Sequence, residues 1–116
     1  METKARDLGR LIGQSSEYQA VKRANDGLMA DRDAVALLNR MTELRGVAQP
    51  YLERDEEPPA DVERELLDLM TRVQPLPSYQ RMLVSQENFD KIMVQVNAWI
   101  AEGIRSGAAS SIITLG

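Results

Sequence analysis

Residues 89–104 read FDKIMVQVNAWIAEGI. Phe89, Ile92, Met93, Val96, Ile100 and Ile104 recur at three- and four-residue steps, the period of one face of an α-helix. At 100° per residue the apolar side chains, from Trp99 round to Ile104, cover an arc of roughly 140°, wider than the stripe of about 100° common on surface helices. Glu87, Lys91, Glu102 and Arg105 gather on the opposite side. The rest of the chain repeats the pattern. Ala5, Leu8, Leu11 and Ile12 form one stripe, and Tyr18, Val21, Ala24 and Leu28 a second. Val35, Leu38, Met41, Leu44 and Ala48 form a third, widened by Leu37, and Val62, Leu66, Leu69, Met70 and Val73 a fourth. No stretch alternates with the period of two that marks a half-buried strand. The predicted fold is all-α, an antiparallel bundle of about five to six helices.

Punctuation between the stripes sets the expected boundaries. Ser16 followed by Gln19 has capping-box spacing, and Glu17 in the first turn suits the helix dipole. Asp31 is an expected N-cap with Asp33 in its first turn. Pro50 is expected to end or kink its helix near Gln49, since it lacks an N–H and crowds the preceding turn. DEEPPAD (55–61) reads as a loop, with Pro59 placed to open the next helix. QPLPS (74–78) reads as a second break leading to a short turn with Tyr79, Met82 and Leu83. Ser85 is then expected to cap the last helix, and Gly107 to stop it. Residues 1–105 form one domain in this reading, followed by an apolar, flexible tail at 106–116. Ile112, Ile113 and Leu115 give that tail a means of packing on its own bundle or in a partner's groove.

Composition narrows the chemistry. The 116 residues suit one domain with a thin core, and aromatics are only 4%, so aliphatic side chains and methionine fill it. Five methionines, at 29, 41, 70, 82 and 93, fall in helical segments. They read as core, with an adaptable partner surface as the alternative. There is no Cys and no His. Disulfides, thiolate-held clusters, Cys/His zinc sites and imidazole or thiol catalysis are therefore closed to this chain. Ser15 and Ser16 could be nucleophiles only with a base, and Lys22 lies nearly two turns beyond Ser16. Glu63, Glu65 and Asp68 lack the Glu-x-x-His partners of a bundle metal site and read as a solvated face. No catalytic residue, cofactor or metal is expected.

Net charge is −4, and the two signs nearly cancel up to Gly46, whereas 53–68 is acidic. That run reads as a solvated surface, with docking of a basic partner as the alternative. No basic run supports nucleic-acid binding or a polybasic membrane anchor. The polar start, METKARDLGR, lacks the apolar centre of a signal peptide, and no apolar run approaches a bilayer span. A cytoplasmic protein is expected. Its function would rest on contact between helices. Phe89, Ile92, Val96, Trp99 and Ile100 either lie embedded in the chain's own bundle or form a candidate partner interface, since tryptophan is enriched at the energetic centres of interfaces. The alternative is a small helical enzyme or anion-binding bundle using Arg6, Arg10, Lys22 and Arg40.

A resemblance adds to this. ARDLGRLIGQSSEYQAVKRANDGLMADRDAVALLNRM resembles the start of the YlbF/YmcA family of small bacterial helical proteins, through Leu8 and Gly9, Ser15, Tyr18, Ala24, Asp31, Ala34, Leu37 and Leu38. SYQRMLVSQENFDKIMVQVNAWIAEGI resembles the family's closing helix, with Tyr79, Phe89, Asn97 and Ile100 at matching places. The resemblance implies an all-helical cytoplasmic regulator of competence, sporulation and biofilm formation, without enzymatic activity. It implies homo-oligomers or association with related helical regulators, some of which influence RNA processing by a membrane-associated ribonuclease. Some such complexes are linked to iron–sulfur clusters, for which this chain offers no thiolate. The family's long glutamine-rich middle helix is also interrupted here, by Pro50, Pro58 and Pro59.

Overall fold

The computed structural model describes residues 1–115, with side chains described through Ala109. Five helices follow one another: α1 (Glu2–Gln14), α2 (Ser16–Ala30), α3 (Arg32–Glu53), α4 (Ala60–Val73) and α5 (Pro77–Leu115). No strand occurs among the described residues. The fold is the all-α bundle that the periodicity predicts, but several boundaries fall elsewhere.

The break between α1 and α2 lies at Ser15, one residue before the expected cap. Its extended backbone (φ −64°, ψ 150°) turns the chain, and its Oγ accepts from the Tyr18 N–H at 3.2 Å. Gln19 does not reach back to a capping serine; its side-chain amide donates to the Gly13 carbonyl at 2.8 Å and ties the two helices together. Asp31 caps α3 as expected, accepting from the Ala34 N–H at 3.2 Å.

Pro50 neither ends α3 nor keeps it from reaching Glu53. Its fixed φ is helical, and so close to the C-terminus the ring removes a single ladder bond. The true stop is Asp55, the one non-glycine residue with positive φ (56°) among those described. The Asp55 N–H donates to Leu52 O at 3.1 Å and the Glu56 N–H to Tyr51 O at 2.8 Å. Those two bonds are a Schellman motif, which usually places glycine where Asp55 stands.

The last helix is longer than its punctuation suggests. α5 starts at Pro77, where the missing N–H costs nothing, and continues without a break through Ser85 and Gly107. Ser85 caps nothing: its buried hydroxyl donates to the Met82 carbonyl one turn back, at 3.0 Å. No proline follows Pro77 to force an ending. The packing expected of Ile112, Ile113 and Leu115 lies outside the described side chains.

Two packed pairs organise the chain. α3 and α4 fold back on each other across the short loop at 54–59. Met41, Leu44, Ala48, Val62, Leu69 and Val73 are buried between them, with Leu76 and Tyr79 packed alongside. α2 packs chiefly on α5. That pair is antiparallel: Asp31 at the end of α2 accepts from Ser78 Oγ at 2.7 Å, while Tyr18 near its start meets Phe89, ring centroids 5.5 Å apart. α2 also touches α3 and so joins the two pairs.

The result is an elongated molecule, 66 × 37 × 20 Å, with a radius of gyration of 21.0 Å. A compact chain of this length would have a radius of about 13 Å.

Candidate functional site

α1 and the stretch of α5 from Asn97 to Ala109 have apolar faces that the chain leaves largely uncovered. No residue of α1 is buried; Leu8 and Ile12 are half-covered and Leu11 is exposed. Four of its five charged side chains pair along its own surface, Arg6 with Glu2 and Arg10 with Asp7. On α5, burial ends at Val96. Beyond it Trp99 is 59% exposed, Ile100 43% and Ile104 67%.

The cause is length. α5 has 39 residues and its main partner α2 has 15, so the helix overhangs the surface that covers it. The chain exposes 8838 Å² in all. A compact protein of its mass would expose about 6,300 Å². A typical stable interface takes about 800 Å² from each partner, so the surplus is ample for one.

The five candidate interface residues thus fall into two groups. Phe89, Ile92 and Val96 are half-buried or buried within the chain, Phe89 against Tyr18. Trp99 and Ile100 are exposed, Ile100 less so. Ile104, part of the same stripe, is more exposed than either, and α1 supplies Leu8, Leu11 and Ile12 as a further open stripe. The sequence shows the stripes but not where their cover ends.

The four cations considered for an anion site are not brought together. Arg6 and Arg10 pair within α1, Lys22 is exposed on α2, and Arg40 bridges α3 to α4. Arg40 donates to both carboxylate oxygens of Glu65, at 2.8 and 3.0 Å, and to Glu43 at 3.1 Å. The bidentate bond to Glu65, then Glu43, raises the Arg40 pKa, and the same bond lowers that of Glu65. Asp68 pairs with Arg72 at 3.2 Å. Of the carboxylates weighed as a metal site, Glu65 and Asp68 therefore hold arginines. No group of three acidic side chains among the described residues is arranged to hold a metal ion.

Asp31 gains a role beyond capping. One oxygen caps α3 and the other takes the Ser78 hydroxyl, which pins the α2–α3 junction to the first turn of α5. The Ser78 bond, then the Ala34 N–H, holds its carboxyl below the ordinary 3.8. Among the described residues no helix is long and apolar enough to cross a membrane.

Such a molecule belongs to the class of small all-α proteins with open amphipathic faces. Residues 1–105 match the family described as control of competence regulator ComK, YlbF/YmcA, and the chain belongs to that family. No curated protein and no solved structure matches it.

Proposed function

We propose that this protein is a non-enzymatic regulatory adaptor that pairs its open helical faces with a second copy or with related helical regulators in the cytoplasm. The observation that carries the reading is the overhang of α5, which leaves Trp99, Ile100 and Ile104 exposed on one continuous helix. Burial of that face is worth roughly 25 cal/mol per Å² before the cost of association is subtracted. Phe89, Ile92 and Val96 hold the root of the helix in place, and Trp99 is the anchor. The regulatory output is of the kind the family description names, control of a competence regulator, with sporulation and biofilm formation as related outputs. Neither nucleic acid nor membrane insertion takes part directly.

Trp99→Ala should weaken assembly about 30-fold, the loss of about 2 kcal/mol that defines an interface hot spot. Light scattering over a dilution series reads this as a fall in mass at concentrations where the parent remains assembled. Equal masses throughout, with both proteins folded by circular dichroism, would sink the proposal.

A further inference from the structure

A groove follows the α2–α5 pair and is separate from the overhang. Three shallow depressions run into one another at Ala20. The first, of about 270 Å³, has Ala20, Ala24, Gly27 and Ser85 as its floor, between Arg23 of α2 and Arg81 of α5. The second shares Ala20, Arg81 and Ser85 with it and adds Val84, which is 57% exposed. The third continues from Asn88 to Gln95. From Ser78 to Gln95 the rise along α5 is about 26 Å, the length of a helix of some 17 residues.

The floor decides what kind of occupant fits. Ser78 and Ser85 are the buried polar residues among those described. Both hydroxyls donate inward, to Asp31 and to the Met82 carbonyl. The first depression therefore offers small side chains and no spare hydroxyl donor; the other hydroxyl along the groove, that of Ser16, is exposed in the third. Such a floor is a poor cradle for a small anion and a good bed for a helix, whose axis can come close where side chains are small. The walls decide its charge. Arg23 and Arg81 are exposed, and neither makes an ion pair among the described residues. The one carboxylate lining the groove, Glu17, lies in the third depression beside Lys91. The chain's own open helix, α1, is an unsuitable occupant. Lys4, Arg6 and Arg10 outnumber its Glu2 and Asp7, and would meet two arginines.

We infer that the α2–α5 groove docks an amphipathic helix of a different protein, with small or aliphatic residues on its inserted face and carboxylates on its flanks. This rests on the adaptor reading and adds a second kind of partner at a second site. The probe is a labelled 17-residue helical peptide with Ala and Leu on one face and Glu on both flanks, compared with its Lys-flanked twin by fluorescence anisotropy at low salt. The Glu peptide should bind the full chain at least tenfold more tightly. The exposed double change Arg23→Glu with Arg81→Glu should reverse that preference, and Arg23→Ala with Arg81→Ala should abolish it. Equal affinities, no binding of either peptide, or a preference untouched by charge reversal would overturn the inference. The oligomeric mass of the reversed variant should equal the parent's. A fall would place a second copy in the groove and overturn the choice of partner. Peptide binding should survive Trp99→Ala, so failure of self-association and failure of this site are read separately.

Discussion

The α3–α4 hairpin and the region formed by α1 and α5 beyond Val96 are both built from amphipathic helices, yet the first buries a core between its helices and the second buries none among its described residues. In the hairpin a short loop returns α4 directly along α3, and Met41 and Val73 end at 2% and 0% exposure. In the other region α5 runs past the end of α2, and the same kind of side chain at Trp99 and Ile104 stays in solvent. An apolar stripe therefore reports a demand for cover, and the length of the neighbouring helix determines whether the chain meets that demand itself.

The largest effect expected tests the closed side. Met41→Ala should cost about 2–5 kcal/mol in urea unfolding, the range for truncating a buried methionine. Trp99→Ala removes a larger side chain but should leave the stability of the dissociated chain nearly unchanged while weakening assembly. A folding loss at Trp99 as large as that at Met41 would erase the contrast between the regions.

Smaller effects test the joints between them. Ser15→Ala should cost about 1 kcal/mol as a lost N-cap, and Ser16→Ala much less, because only the former accepts from the Tyr18 N–H. Asp55→Gly should stabilise the hairpin by about 0.5–1 kcal/mol, since glycine enters the left-handed region without the penalty of a side chain. Both are read from denaturant midpoints.

Acid should loosen both the tie between the pairs at Asp31 and the α3–α4 bridge at Glu65. Asp31 and Glu65 are held below their ordinary values of 3.8 and 4.5. A carboxylate with a lowered folded pKa stabilises at neutral pH, and that contribution fades as pH falls below the unfolded value through the folded one. Thermal midpoints should therefore drop as pH falls below about 4. Asp31→Asn should start lower at neutral pH and show a shallower fall.

How legible the molecule was can be judged residue by residue. The stripes through Met41, Leu69 and Val96 are readable because helical period and burial coincide there. Asp31 as a cap is readable because a short acceptor precedes the stripe. Ser85 misleads because a serine serves equally as a cap or as a mid-helix residue bonded back one turn, and local sequence does not separate the two. Pro50 misleads because its cost depends on how near the helix end it falls. Asp55 is hidden because its left-handed backbone is usually signalled by glycine. Arg23 and Arg81 share a groove only after α2 and α5 pair, 58 positions apart in the chain, so no local spacing reveals them.

The sequence by itself determined the helical period, the absence of thiol and imidazole chemistry and the supply of apolar faces, because these depend on residue identity and on neighbours within a turn or two. Only the tertiary structure decided which faces are covered, that α5 overhangs, and which charges are spent on ion pairs. Those outcomes depend on which helices lie side by side and for how many turns, a property of the whole packing.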